Sequence, residues 1–148
     1  MSATKKLVCH LTVTVVSGKD LAVRDITGSS DPYVHITVID NQENKVTKKA
    51  KTTVQKQTLN PVWNEKFTFK FDRNKNDCSV RFHLWDWDRL SHDDSMGYGF
   101  VSLKDVDRPE QPQRFLVKLL EVEKGTLEVI IEYAMVEEEE EHRKSFFG

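Results

Sequence analysis

The sequence predicts an all-β fold, an eight-stranded antiparallel β-sandwich. Two observations lead to this prediction: apolar and polar residues alternate in short segments, and turn-like residues separate those segments. A third observation agrees with it. No stretch shows the period of an amphipathic helix, and DRPEQPQ, with its two prolines, is predicted to be a loop.

Seven of the eight strands are supported by apolar residues two positions apart, and KKAKTTVQ is added on its place between turn-like segments. The long alternations are LVCHLTVTVV, PYVHITVI, KFTFKF and SVRFHLW, and KKAKTTVQ, YGFVSL, RFLVKLL and TLEVIIEY complete the set. The residues expected to face the core are Leu7, Cys9, Leu11, Val13, Val15, Val34, Ile36, Val38, Phe67, Phe69, Phe71, Val80, Phe82 and Leu84. The residues expected to face outward on the second strand are Tyr33, His35 and Thr37.

One domain is expected over residues 1–135, followed by an acidic tail over residues 136–148. A net charge of −2 with 38% hydrophobic residues argues against a nucleic-acid partner and against disorder. No apolar run approaches the roughly 20 residues that span a bilayer. Because only Cys9 and Cys78 are present, a reduced cytoplasmic setting is favoured, although the two thiols could form one bridge.

Aspartates are concentrated in two segments. In WDWDRLSHDDSMG, Asp86 and Asp88 stand where a strand gives way to a loop, and Asp94 could return to the same point. In VRDITGSSDPYV, Asp25 and Asp31 flank a turn between two strands. Calcium takes 6–8 oxygen ligands in flexible geometry, so a shared calcium site is one interpretation. A solvated acidic turn is the other.

Two other metal motifs are excluded. Zinc is disfavoured because no Cys/His cluster accompanies the aspartates. An EF-hand loop beginning at Asp86 fails because Leu90 and Ser91 stand where the loop needs a ligand and a glycine, and Gly97 replaces the closing glutamate.

Three motifs carry a resemblance to a known family. SDPYV, TLNPVWNE and WDWDR, in this order and spacing, resemble the calcium-binding kind of C2 domain found in protein kinase C, synaptotagmins and ubiquitin ligases related to Nedd4. The resemblance covers roughly residues 6 to 133. It implies the second C2 topology, a circular permutation of the synaptotagmin arrangement.

The resemblance also implies a ligand set for two or three Ca²⁺ ions. The side-chain ligands that it implies are Asp25, Asp31, Asp86, Asp88 and Asp94, with Ser91 for an additional ion. The implied main-chain ligands are the carbonyl oxygens of Arg24 and Trp87. Asp93 is a further acid in the same loop, with no role beyond the local field.

The function expected from the resemblance is calcium-dependent binding to anionic phospholipid membranes, as a targeting module in signalling or trafficking. The domain is then cytoplasmic and reaches the membrane as a peripheral protein when calcium binds. The residues expected to insert into the membrane are Ile26 and Leu90. The residues expected to meet lipid head groups, phosphoinositides among them, are Arg89, His92, Lys49, Lys51, Tyr33 and Trp85. Thr47 and Asp93 depart from the phosphoinositide-binding pattern, so a solvated surface stays an alternative for the basic strand, which is the KVTKKAKTT segment that contains Lys49 and Lys51.

Two competing functions are weighed against membrane binding. A protein-interaction module, either stabilised by calcium or independent of it, could use the basic strand. An enzyme is not expected, because no G-x-S-x-G, glycine-rich phosphate loop or Ser/His/Asp arrangement is present and the loops are too short to enclose a substrate.

Overall fold

The computed structural model describes residues 4–140, which form two four-stranded antiparallel sheets packed face to face. This arrangement confirms the predicted β-sandwich, and the described residues contain no α-helix. The strands are β1 (Lys5–Lys19), β2 (Pro32–Asp40), β3 (Ala50–Lys51), β4 (Val62–Phe71), β5 (Cys78–Asp86), β6 (Asp94–Ser102), β7 (Gln113–Lys118) and β8 (Thr126–Glu139).

The strand order is β4-β1-β8-β7 in one sheet and β3-β2-β5-β6 in the other. The last strand therefore lies between β1 and β7, which agrees with the permuted topology that the resemblance implies. Of the eight segments predicted as strands, KKAKTTVQ forms the shortest, since only Ala50 and Lys51 pair with β2.

The core lies between the sheets, where the alternating apolar residues meet. Along β5, Val80, Phe82 and Leu84 are fully buried, as the period of two predicts. Leu7 is the exception among the residues expected inside: its side chain is 57% exposed. The alternation slips at this end of β1, because the adjacent residues Val8 and Cys9 are both buried and Leu7 lies beyond the core.

Register brings the two aspartate-rich segments to the same end of the sandwich. Pro32, at the start of β2, is the Cα partner of Asp86, at the end of β5. Asp94, at the start of β6, is in turn the partner of Asp86. The first loop (residues 20–31) and the second loop (residues 87–93) therefore lie side by side, and we call this end the acidic pole.

β8 continues past the predicted domain end at residue 135. Residues 136–139 remain paired with Lys5–Val8 of β1, so the first glutamates of the expected tail are part of the sheet. Residues 141–148, the rest of that tail, lie outside the described residues. Within residues 4–140, no helix has the length and apolar character needed to cross a membrane. Cys9 and Cys78 are buried free thiols.

Candidate functional site

Three aspartates converge at the acidic pole. Asp25, Asp31 and Asp86 each offer a carboxylate oxygen, and these oxygens all lie within 4.8 Å of one another. Two of the residues belong to the first loop and the third ends β5, although 55 residues separate Asp31 from Asp86 in the sequence. We call this group the aspartate cluster.

The first loop is held by backbone bonds and by one serine. Asp25 donates its backbone N–H to Ser29 (2.9 Å), and its carbonyl accepts from Gly28 (3.1 Å), whose φ of 84° favours glycine. The buried Ser30 hydroxyl donates to Ala22 (3.0 Å) and accepts from the Arg24 N–H (3.0 Å). This bonding fixes the backbone on both sides of Asp25.

Backbone donors also orient the two carboxylates at the strand ends. The Asp31 N–H donates to Asp86 Oδ1 (2.7 Å), and the Gln57 N–H donates to Asp31 Oδ1 (2.7 Å). The Trp87 N–H donates to the Asp31 carbonyl (2.9 Å). Hydrogen bonds from backbone N–H groups to carboxylates are short and strong, so these donors hold both acids in place.

Asp86 is the acid most affected by the cluster. Its side chain is only 3% exposed, and burial, followed by the nearby charges of Asp25 and Asp31, raises its pKa to about 6. Above that pH, the folded protein must hold a buried negative charge beside two others. A cation between these carboxylates would relieve that cost.

Asp88 and Asp94 do not join the cluster in this structure. The Asp88 carboxylate turns into its own loop, where it accepts from the Leu90 N–H (2.8 Å), the Ser91 N–H (3.3 Å) and the Ser91 hydroxyl (2.8 Å). The backbone bond from Leu90 and then the Ser91 hydroxyl lower the Asp88 pKa. Asp94 is exposed directly across the β5–β6 pair from Asp86.

Asp93 does more than the sequence indicated. One carboxylate oxygen accepts from the Asp88 N–H (2.9 Å), and the other accepts from the Tyr33 hydroxyl. Asp93 thus ties the second loop to β2. Tyr33 was expected to face outward and does lie on the outer side, but it is only 9% exposed because this contact covers it. A sequence separation of 60 residues gives no local signal for such a bond.

Apolar side chains stand at the tips of both loops. Ile26 is fully exposed, and Leu90 is 87% exposed. Arg89 and His92, beside Leu90, are exposed as well. Isolated apolar residues on a surface are common, and these two share the tips of adjacent loops at the acidic pole.

A model of the family described as C2 domain matches residues 9–117. The chain belongs to the C2 domain family. The expectation drawn from the three motifs is thereby confirmed at the level of the family.

The relatives that match this chain are much longer proteins than the segment that is matched. Synaptotagmin-1 of Caenorhabditis elegans is 39% identical over 99 residues, which cover 66% of this chain and 22% of that protein. The E3 ubiquitin-protein ligase Nedd-4 of Drosophila melanogaster is 36% identical over 105 residues, 71% of this chain and 10% of that protein. This chain therefore corresponds to the C2 module of much longer proteins, and an enzymatic name such as ligase belongs to the whole relative.

Solved C2 structures match the fold closely. A C2 domain of plant extended synaptotagmin 1 is similar with a TM-score of 0.76 and 31% identity, covering 86% of this chain and 95% of that one. A two-domain C2 fragment of extended synaptotagmin 2, in a structure described as calcium bound, is similar with a TM-score of 0.69 and 27% identity, covering 89% of this chain and 47% of that one.

The C2 domain also carries a basic outer surface on its second sheet, where the sequence predicted head-group contacts. Lys51 pairs with His35, and the Trp85 ring stacks on His83 with 4.2 Å between centroids. We call this surface the basic face; its cationic residues are Lys45, Lys49, Lys51 and Arg81.

A shallow pocket of about 180 Å³ opens on the basic face. Arg81 and Lys45 line it together with Lys49 and Trp85, and sequence reasoning assigned no role to the first two. Arg81 Nε and Trp85 Nε1 are buried donors without a hydrogen-bond partner among the described residues. Burial lowers the His35 pKa to about 4, so the positive charge of the pocket comes from lysine and arginine.

Proposed function

We propose that this C2 domain binds Ca²⁺ at the acidic pole and that calcium allows it to bind anionic phospholipid membranes. The observation that carries the proposal is the convergence of Asp25, Asp31 and Asp86 from two loops. Their hard oxygen donors suit calcium, and the raised Asp86 pKa indicates an unrelieved charge that a cation would offset. The similarity to a calcium-bound relative supports the same interpretation.

The ligand set extends beyond the aspartate cluster. Asp94 needs only to turn toward its partner Asp86, whereas Asp88 must share or exchange the donors that it now accepts from its own loop. Carboxylate oxygens carry two lone pairs, so Asp88 can keep the Ser91 contact while it contributes to the site. The proposed remaining ligands for two or three ions are the carbonyl oxygens of Arg24 and Trp87 and the Ser91 hydroxyl.

The proposed mechanism is an electrostatic switch. Five carboxylates at one pole repel anionic lipid, and two bound calcium ions would change the local charge from about −5 to about −1. Each unit of charge near an anionic leaflet is worth roughly 1 kcal/mol, so the change removes most of the repulsion and lets other groups at the loop tips attract the lipid. The strands need not rearrange.

Side chains at the loop tips then complete the contact. Ile26 and Leu90, both exposed, would enter the membrane interface, where burying such a side chain contributes about 1.5–3 kcal/mol. Arg89 and His92 flank Leu90 and would meet lipid phosphates. In a cell, the domain would then be cytoplasmic and would move to the membrane surface when the calcium concentration rises.

Vesicle co-sedimentation tests the proposal. The domain should pellet with phosphatidylserine-containing vesicles in calcium and stay in the supernatant with chelator or with magnesium. If calcium raises the melting temperature but the domain does not pellet with vesicles under any of these conditions, the result would support the alternative, a calcium-stabilised module for protein partners.

A second ligand contact is proposed on the basic face. The cationic side chains of Arg81, Lys45 and Lys49 around one pocket favour an anion with several phosphates, such as a phosphoinositide head group. Lys51 and Tyr33 lie toward the Asp93 side, where that carboxylate and Glu65 line a separate cavity and oppose a phosphate. Calcium-independent binding to vesicles that contain phosphatidylinositol bisphosphate, but not to phosphatidylserine alone, would support this contact; a partner protein captured without lipid would favour the alternative.

A further inference from the structure

Arg24 joins three separate segments at the acidic pole. Its guanidinium donates to both carboxylate oxygens of Glu123 (3.2 and 3.3 Å), on the loop between β7 and β8. Its Nε donates to the carbonyl of Ser95 (3.2 Å), in β6. Its own backbone lies in the first loop, directly before Asp25. One half-buried side chain therefore spans three loops or strand ends.

The Glu123 end of this contact is fixed by close packing. Gly97 has a φ of 95°, and a Cβ at this position would stand 2.5 Å from the Val122 side chain and 2.8 Å from the Leu120 carbonyl. The glycine thus lets the β7–β8 loop lie directly on β6. Leu120 is bonded to Tyr98 in both directions (2.8 and 3.2 Å). The backbone that carries Glu123 is therefore held in place by packing on β6, although the Glu123 side chain is exposed.

Arg24 links the segments that carry two of the proposed calcium ligands. Asp25 follows Arg24 in the first loop, and Asp94 precedes Ser95 at the start of β6. A fork of N–H donors fixes direction as well as distance, which a lysine ammonium does not. Loss of the guanidinium would leave the first loop anchored at Ser30 but no longer tied to β6.

We propose that Arg24, held by Glu123, is a positioning residue that sets the distance between the Asp25 and Asp94 sides of the calcium site. The inference rests on the calcium binding proposed above and adds a third loop, residues 119–125, to the elements that determine calcium affinity. In the proposed calcium site Arg24 contributes only its main-chain carbonyl oxygen. The positioning role belongs to its side chain.

A positioning role and simple charge repulsion predict opposite changes in calcium affinity when the Arg24 side chain is removed. Removing a positive charge beside an acidic site would strengthen calcium binding if charge alone mattered. Removing a positioning contact would weaken it. Arg24→Gln therefore separates the two, and Arg24→Lys, which keeps the charge but not the bidentate fork, tests geometry alone.

Calcium titration calorimetry on the domain supplies the readout, with Arg73→Gln as matched control. Arg73 pairs with Asp40 (3.1 Å) at the opposite end of β2, so its variant makes the same charge change away from the site. We expect Arg24→Gln to weaken calcium binding about two- to fivefold, the range of an exposed charge pair, and Arg24→Lys to weaken it as well. Arg73→Gln should stay within experimental error of the wild type.

Calcium binding by Arg24→Gln that equals or exceeds the wild type would overturn the inference, and so would a matching loss in Arg73→Gln. Should Arg24→Gln fail to fold, Arg24→Lys carries the test, and unchanged affinity in it would overturn the inference. Wild-type protein that binds no calcium would instead reject the proposed function, and the positioning role with it. These outcomes are distinguishable because the wild type is titrated first.

Discussion

Replacing Asp86 by asparagine should make the calcium-free domain more stable. Asparagine keeps the shape of the side chain and an oxygen that can accept the Asp31 N–H, but it removes the buried negative charge. The pKa of Asp86 rises from 3.8 to about 6 in the folded state. At 1.36 kcal/mol for each pKa unit, the charged carboxylate costs the folded state at most about 3 kcal/mol above pH 7.

The sign of this effect gives it a pH signature. Because the folded-state pKa is raised, the contribution of Asp86 to stability is fully present below pH 4 and is lost as the pH rises through about 6. The advantage of Asp86→Asn should therefore be about 3 kcal/mol at pH 7.5 and about half of that at pH 5. Urea unfolding of both proteins in chelator, at both pH values, measures it.

Calcium should reverse the ranking. A ligand that binds only the folded state stabilises it by an amount that grows with the logarithm of the ligand concentration divided by Kd. The wild type should therefore gain stability in calcium, while the weaker-binding Asp86→Asn gains little. Asp40→Asn is a suitable control, since that aspartate lies at the other end of β2. If Asp86→Asn in chelator is no more stable than the wild type at pH 7.5, the claim that repulsion within the aspartate cluster destabilises the calcium-free fold is refuted.

Three further changes test other parts of the site. Leu90→Ser or Ile26→Ser should weaken calcium-dependent vesicle binding about tenfold or more while leaving calorimetric calcium affinity without vesicles unchanged, because each removes roughly 1.5–3 kcal/mol of apolar burial; loss of calcium affinity would contradict a membrane role. Tyr33→Phe should lower the free energy of unfolding by about 1.5–3 kcal/mol in urea, since Asp93 loses a donor; unchanged stability would show that the bond is not formed in solution. Arg81→Gln should weaken sedimentation with phosphatidylinositol bisphosphate vesicles about fivefold, the value of one charge near a membrane, and an equal loss on phosphatidylserine in calcium would contradict a separate anion site.

Alternation along the strands was sufficient to predict the sandwich. The period-two burial of Val80, Phe82 and Leu84 is typical of a strand with one face against a second sheet, and the structure has two packed sheets. Alternation does not reveal where a strand leaves the core, so the exposure of Leu7 was missed. It also does not reveal that glutamates can continue a strand, as residues 136–139 do beside the lysines at the start of β1.

The site was predicted in part. Motif spacing and the resemblance placed Asp25, Asp31 and Asp86 together, because the fold brings the loop of Asp25 and Asp31 beside the end of β5. The orientation of Asp88 depends on hydrogen bonds within its own loop, and that of Asp93 depends on Tyr33 in a distant strand. Such contacts arise from tertiary packing and leave no pattern in neighbouring residues. The same holds for the pairing of Arg24 with Glu123.

The decisive measurement is a calcium titration of the wild-type domain in the presence of vesicles that differ only in charge. If calcium bound at the acidic pole increases the affinity for lipid, thermodynamic linkage requires bound lipid to increase the affinity for calcium by the same factor. Calcium should then bind more tightly with phosphatidylserine vesicles than with phosphatidylcholine vesicles, and Asp86→Asn should abolish the difference. Equal calcium affinity on both kinds of vesicle would contradict the account.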